Sequence, residues 1–153
     1  AAADLAEELG WEPGPASEAL RCDVVTLVTP GTEPVVHPND LHPGMHLNAL
    51  GADGPGKAEM EVDAVVRCDL FCDEWTQASH GGELTAAAER GLIAGDRVTE
   101  LGDVLAGTAG GRASEEAITL FDSTGLAIQD LAIVRALLDR HASGEVEARD
   151  LSL

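Results

Sequence analysis

An α/β fold on a parallel, doubly wound sheet, incomplete at its amino end, is what this sequence predicts, and three observations predict it. Short apolar, β-branched runs alternate with helix-forming segments, the pattern that places crossover helices between parallel strands. Those runs are continuously apolar and end at Pro or Gly, as expected of buried parallel strands. The chain also opens inside a helix-forming stretch with no capping residue ahead of it, so the start of the domain is expected to lie upstream. With 153 residues and 44% hydrophobic content, the chain has room for one core and is too short for two domains of ordinary size.

Taken in order, residues 1–9 (AAADLAEEL) are strong helix formers stopped by Gly10. Asp23 to Thr29 (DVVTLVT) and Met45 to Leu50 (MHLNAL) read as strands, and Asp69 to Asp73 as a weaker third. Helices are expected near Ser17 to Arg21, Glu59 to Val66 and Glu83 to Gly91. Gly107 to Gly111 (GTAGG) reads as a flexible loop. The clearest helix runs from Gly125 to His141, where Leu126, Leu131, Val134, Leu137 and Leu138 form a wide apolar stripe. Asp122, Ser123 and Thr124 stand before it as N-cap candidates, and Arg140 and His141 suit the negative end of its dipole. The organisation is therefore one partial α/β domain over residues 1–145 and a polar tail over 146–153. No internal repeat or low-complexity tract interrupts it.

Charge narrows the partners. Twenty-eight acidic residues against nine basic ones give a formal charge of -19, so the surface repels nucleic-acid phosphates and anionic lipid headgroups. Neither nucleic acid nor membrane is expected as a partner. Lys57 is the sole lysine, and the excess of acid suits a protein from a salt-accumulating, halophilic cytoplasm where counterions screen self-repulsion. Cys22, Cys68 and Cys72 are odd in number and accompany no signal peptide, which favours a reduced, cytoplasmic setting, and Cys68 and Cys72, four residues apart in an apolar run with no matching pair, read as buried structural thiols. Trp11 and Trp75 read as packing residues. His42 and His46 have helix-type spacing, but Pro43 and Gly44 between them break a helix, so no metal site is expected.

The stretch with most chemistry is PGMHLNALGADGPGKAE, Pro43 to Glu59, a strand running into a glycine-rich loop with one Asp and the sole Lys. As a phosphate-cradling GxxxxGK from Gly51 to Lys57 it fails at Ala58, where magnesium requires a hydroxyl. The other reading places Asp53 at the carboxyl end of a buried strand, where open α/β sheets bind ligands, with Lys57 near enough to bias its charge. A carboxylate there suits proton transfer to water or an amine. A plain loop Asp capping the next helix explains the same residue, and the residues alone leave that open.

Four segments in consistent order carry a resemblance: Asp23 to Thr29, HLNALGADGPGKAE from His46 to Glu59, ELGDVLAG from Glu100 to Gly107, and ITLFDSTGLAIQDL from Ile118 to Leu131. Together they resemble the ornithine cyclodeaminase and mu-crystallin family. The resemblance implies a Rossmann-type NAD-binding domain, partnered in a complete member by a dimerisation domain that supplies most substrate contacts. It implies NAD or NADP as cofactor, a small amino or imino acid as substrate, and a homodimer of the complete protein. By position, it implies Asp53 as the catalytic proton-transfer residue. Thr29, Leu47, Asn48, Ala49, Leu50, Lys57 and Ser123 fall at cofactor-contacting positions, and Thr124 at a substrate-contacting one.

The departures matter as much. The chain holds no GxGxxG turn, the residues of the first two strands are absent, and the tail would return to a dimerisation domain that is also missing. Without that turn no helix amino terminus is offered to a pyrophosphate, so the chain alone is expected to bind NAD poorly and to be inactive. Loss of those strands from the 3-2-1-4-5-6 order also exposes a hydrophobic sheet edge. The leading expectation is the cofactor-binding part of a cyclodeaminase, imine reductase or amino-acid dehydrogenase. A non-catalytic, mu-crystallin-like binding module is the alternative.

Overall fold

A computed structural model describes residues 2–52, 54, 56–147 and 149. Five strands form one sheet: β1 (Val24–Leu27), β2 (His46–Ala49), β3 (Asp69–Cys72), β4 (Val98–Glu100) and β5 (Thr119–Asp122), in the order β1-β2-β5-β3-β4. Every pairing is parallel. The last strand inserts between β2 and β3, with Leu120 in register with both Leu47 and Leu70.

Helices α1 (Ala2–Leu9) and α2 (Ala16–Ala19) precede the sheet, and Gly10 ends α1 with φ of 69°, a conformation glycine adopts without strain. The crossovers are α3 (Val62–Val65), α4 (Trp75–Gly81), α5 (Thr85–Glu89) and α6 (Leu101–Ala106), and α7 (Ala127–Ala142) closes the chain. Alternation along each strand sends Val25, Leu27, Leu47, Ala49, Leu70, Cys72 and Leu120 to one face. There they pack with Ala64 and Val65 of α3, Ala78 of α4, and Leu84 and Ala87 at α5. The opposite face is open. His46, Asn48, Phe71, Thr119 and Phe121 line a cleft of about 420 Å³ there, bordered by Leu101 and Val104 of α6 and by Arg112. Arg112 donates from Nε to the Ser114 carbonyl and from Nη2 to the carbonyls of Gly44, Glu115 and Ala117.

Several expectations change. Glu59 and Glu83 are not helical: the helices expected around them shorten to α3 and α5, because each of these carboxylates is buried and takes backbone amides instead. Strands β4 (VTE) and β5 (TLFD) and helices α4 and α6 were not marked by composition, since polar residues stand within or at the ends of both strands and break the apolar run. Asp122, Ser123 and Thr124 do not cap α7. The N-cap is Leu126, whose backbone N–H donates to Gln129 Oε1 at 3.4 Å, while Asp122 ends β5 and is buried and Ser123 and Thr124, just after it, donate to Asp73. Cys68 and Cys72 are buried thiols, but Cys22 is exposed. Burial pushes both buried thiols up to about 12, which leaves them inert as nucleophiles. Trp75 packs on the core and against Gly95, whereas Trp11 is 68% exposed.

Candidate functional site

Because all five strands run parallel, their carboxyl ends share one edge. Along it stand Thr29 after β1, Leu50 and Gly51 after β2, Ser123 and Thr124 after β5, and Asp73 after β3. Open α/β sheets bind ligands outside this edge. The sheet thus gathers Thr29, Leu50, Ser123 and Thr124, residues up to 95 positions apart.

Four acidic side chains build the edge, and each accepts from at least one backbone amide. Glu59, fully buried, accepts from Thr29 N at 2.5 Å, Thr29 Oγ1 at 2.8 Å and Gly51 N at 2.8 Å. Glu83 accepts from Glu59 N at 2.9 Å and Met60 N at 2.7 Å. Asp122, also fully buried, accepts from Leu84 N at 3.1 Å. Asp73 gathers the β5–α7 turn, accepting from Thr124 N and Gly125 N at 3.0 Å each, from Thr124 Oγ1 at 3.0 Å and from Ser123 Oγ at 3.4 Å. Charge-assisted bonds of this kind are the strong ones, and nine basic residues could not serve 28 acids in any case.

Two glycines permit the arrangement. A Cβ at Gly51 would overlap Glu59 Oε1 and Thr29 O, and one at Gly82 would overlap both Asp122 carboxyl oxygens. Burial sets the protonation. It pushes Glu83 up to about 7 against the pull of the Glu59 and Met60 amides, and Asp122 up to about 7 against the Leu84 amide. Asp122 Oδ1 is buried with no hydrogen-bond partner among the described residues, consistent with the dominance of desolvation there.

The residues named from the sequence divide accordingly. Asp53, the expected acid/base, lies outside the described residues. Thr29 is half-buried and bound to Glu59, and Ser123 N donates to Ala49 O at 3.0 Å, joining the ends of β2 and β5. Leu50 is exposed at the edge, its N–H on Leu27 O. Lys57 continues the loop, its N–H on Gly54 O. Leu47 and Ala49 turn their side chains into the core, so their nearness to the edge is a matter of backbone. Asn48 faces the open side, with Nδ2 donating to Thr26 Oγ1 and Oδ1 beside His46 Nε2. Thr124 also lines a cleft of about 390 Å³ with Thr76, Gln77, His80 and Gly81. Among the described residues, no group of three or more His, Cys, Asp or Glu side chains could hold a metal, and no helix is long and apolar enough to cross a membrane.

Sequence reasoning missed Glu59, Glu83 and Asp73 as builders of this edge and misread Asp122 as a helix cap. The signal available was an acid just beyond a strand or a Gly-Gly pair in a chain short of cations, where a backbone amide is the only abundant partner.

Comparisons with known proteins fit this geometry. The chain is 44% identical over 136 residues to the alanine dehydrogenase of Archaeoglobus fulgidus, covering 88% of this chain and 42% of that protein. An archaeal alanine dehydrogenase dimer with bound NAD superposes with a TM-score of 0.85 and 40% identity, over 98% of this chain and 48% of its own. The Thermococcus litoralis Δ1-pyrroline-2-carboxylate reductase, in complex with NADH and L-proline, superposes at 0.83 with 26% identity, over 95% of this chain and 47% of its own. The chain therefore spans less than half the length of each. The family model for ornithine cyclodeaminase/mu-crystallin matches residues 14–145, and the chain belongs to that family.

Proposed function

We propose that this chain is the cofactor-binding part of an NAD(P)-dependent enzyme that oxidises, reduces or cyclises a small amino or imino acid. The observation that carries the reading is the gathering of Thr29, Leu50, Ser123 and Thr124 on one carboxyl edge of a parallel sheet, within a family whose relatives include NAD-bound dehydrogenases and reductases.

The residues present fit the nicotinamide half of a dinucleotide better than its phosphates. Gly51 brings the backbone close to Thr29 with no side chain between, and Ser123 lies one turn before α7. Among the described residues, no glycine-rich turn opens a helix for a pyrophosphate. The cofactor, when bound, exchanges a hydride with the substrate's α-carbon. Asp53 moves the proton that accompanies this exchange, to or from the substrate nitrogen or a water. Thr29, Leu50 and Ser123 orient the cofactor at the strand ends, Lys57 biases the charge of the loop, and Thr124 contacts the substrate.

The decisive test is Asp53→Asn in the complete polypeptide carrying this chain. Loss of an acid/base group lowers turnover by about 10²- to 10⁴-fold and removes one limb of the pH-rate profile. Near-normal turnover removes Asp53 from the reaction. The 153 residues alone bind NAD weakly, and micromolar affinity by calorimetry contradicts the assignment of the phosphate anchor to residues outside this chain.

A further inference from the structure

The last hydrogen bond of the β1–β2 ladder runs from Leu50 N to Leu27 O at 3.0 Å. One residue further, at Thr29 and Gly51, the strands have ended and no main-chain bond joins them. The Glu59 carboxylate takes that place: Oε1 receives the Thr29 N–H and hydroxyl, Oε2 receives the Gly51 N–H, and the gap is too narrow for any side chain at position 51. We propose that Glu59 is a positioning residue of the cofactor cleft, its carboxylate acting as one more rung between β1 and β2 that fixes where Thr29 and the Gly51–Lys57 loop meet the cofactor. This rests on the cofactor-binding reading above.

Glu59 is itself fastened on every side, which a strut requires. Its carbonyl accepts from Val35 N at 2.8 Å and Val36 N at 3.1 Å, so the β1–β2 connection is pinned to it. Its own N–H and that of Met60 are held by the Glu83 carboxylate, and Glu83 lies beside Leu84, whose N–H is on Asp122 at the end of β5. Among the described residues, the bonds that hold Glu59 come from main-chain N–H groups and the Thr29 hydroxyl. An acid that served only to cap a turn would touch one segment, whereas Glu59 ties together the ends of both strands.

Glu59→Gln tests this with little change of volume. Whichever way the amide turns, an NH₂ group faces either the Thr29 donors or the Gly51 N–H, so one end of the rung opens. In the complete polypeptide, the expected result is a KM for NAD or NADP raised about tenfold or more with kcat within about threefold, the signature of lost cofactor placement with chemistry intact. Glu61→Gln, at an exposed pair with His37, leaves both constants unchanged.

In the 153-residue chain alone, Thr29 and Gly51 amides exchange slowly in the wild type and at least about tenfold faster in Glu59→Gln, while amides of β3 and β5 hold their rates. An unchanged KM, or unchanged exchange at both amides, overturns the proposal. Should Glu59→Gln fail to fold, Thr29→Val keeps the N–H and deletes only the hydroxyl donor. Gly51 amide exchange at least about threefold faster in that variant then supports the rung, and an unchanged rate overturns it. A complete wild-type polypeptide that turns over with neither NAD nor NADP sinks the cofactor reading and the positioning role together, whereas normal KM in Glu59→Gln sinks the role alone.

Discussion

The helix-covered face of the sheet and helix α7 are built from the same kinds of residue, yet they end in opposite environments. Leu47, Leu84 and Leu120 are fully buried, while Ile128, Leu131, Val134, Leu137 and Leu138 on α7 are 50% to 67% exposed. The difference teaches that an apolar stripe specifies a helix without specifying what it packs on. The covered face is finished by α3 to α5 from within the chain. On α7, as on β1 at the sheet edge, where Val24 is exposed, the described residues supply no cover.

The largest expected contrast lies in the core. Leu120→Ala removes a side chain at the centre of the sheet and is expected to cost about 2–5 kcal/mol, whereas Leu131→Ala on α7 stays within about 0.5 kcal/mol in the isolated chain. Urea denaturation of both variants checks this. Equal losses would break the comparison, because they would mean that α7 packs in solution.

Next comes pH. Unfolded, Glu83 and Asp122 titrate near their ordinary values of 4.5 and 3.8, and in the fold both rise to about 7 because burial disfavours the charged form. Between those limits the folded chain holds more protons than the unfolded one, so stability falls as pH rises. Their contribution is fully present below pH about 4 and is lost as pH climbs through about 7, at most on the order of 3–4 kcal/mol for each group. Denaturation midpoints from pH 4 to 8 should show the fall, and Glu83→Gln should flatten part of it. A rise in stability across that range would contradict the burial of these acids.

Smaller effects sharpen the picture. Asp73→Asn weakens the hold on the Ser123–Gly125 turn and is expected to cost about 1–3 kcal/mol. It should also move the Thr124 and Gly125 amide resonances while leaving β1 unaffected. The mildest is a matter of dynamics: α7 amides should exchange by local opening well below the global unfolding energy, while β2 and β5 amides exchange near it. Matching protection for the two regions would again place α7 against a partner surface.

How much of this was legible beforehand depended on the length of the signal. The first two strands and the ends of α1 and α7 could be read within a few residues, because apolar runs, Gly10 and a long stripe are local features. Strands β4 and β5, whose apolar residues are interrupted or bounded by polar ones, could not, although β5 is the strand that joins the two halves of the sheet. Of the site, Thr29, Ser123 and Thr124 were named through family resemblance and do share one edge. The acids that hold them there were missed or misread, since an acid's partners cannot be read from its neighbours in sequence.

By itself, then, the sequence determined the α/β alternation, the acidic surface and the family, because each is written in local composition or in ordered motifs. Only the tertiary structure decided that Glu59 bridges Thr29 and Gly51, that Asp122 turns inward under Gly82 instead of capping α7, and that the α7 stripe lacks cover among the described residues. The physical reason is that burial and hydrogen-bond pairing are properties of what comes together across the chain. Thr29 and Glu59 lie 30 residues apart, and nothing near either one announces the other.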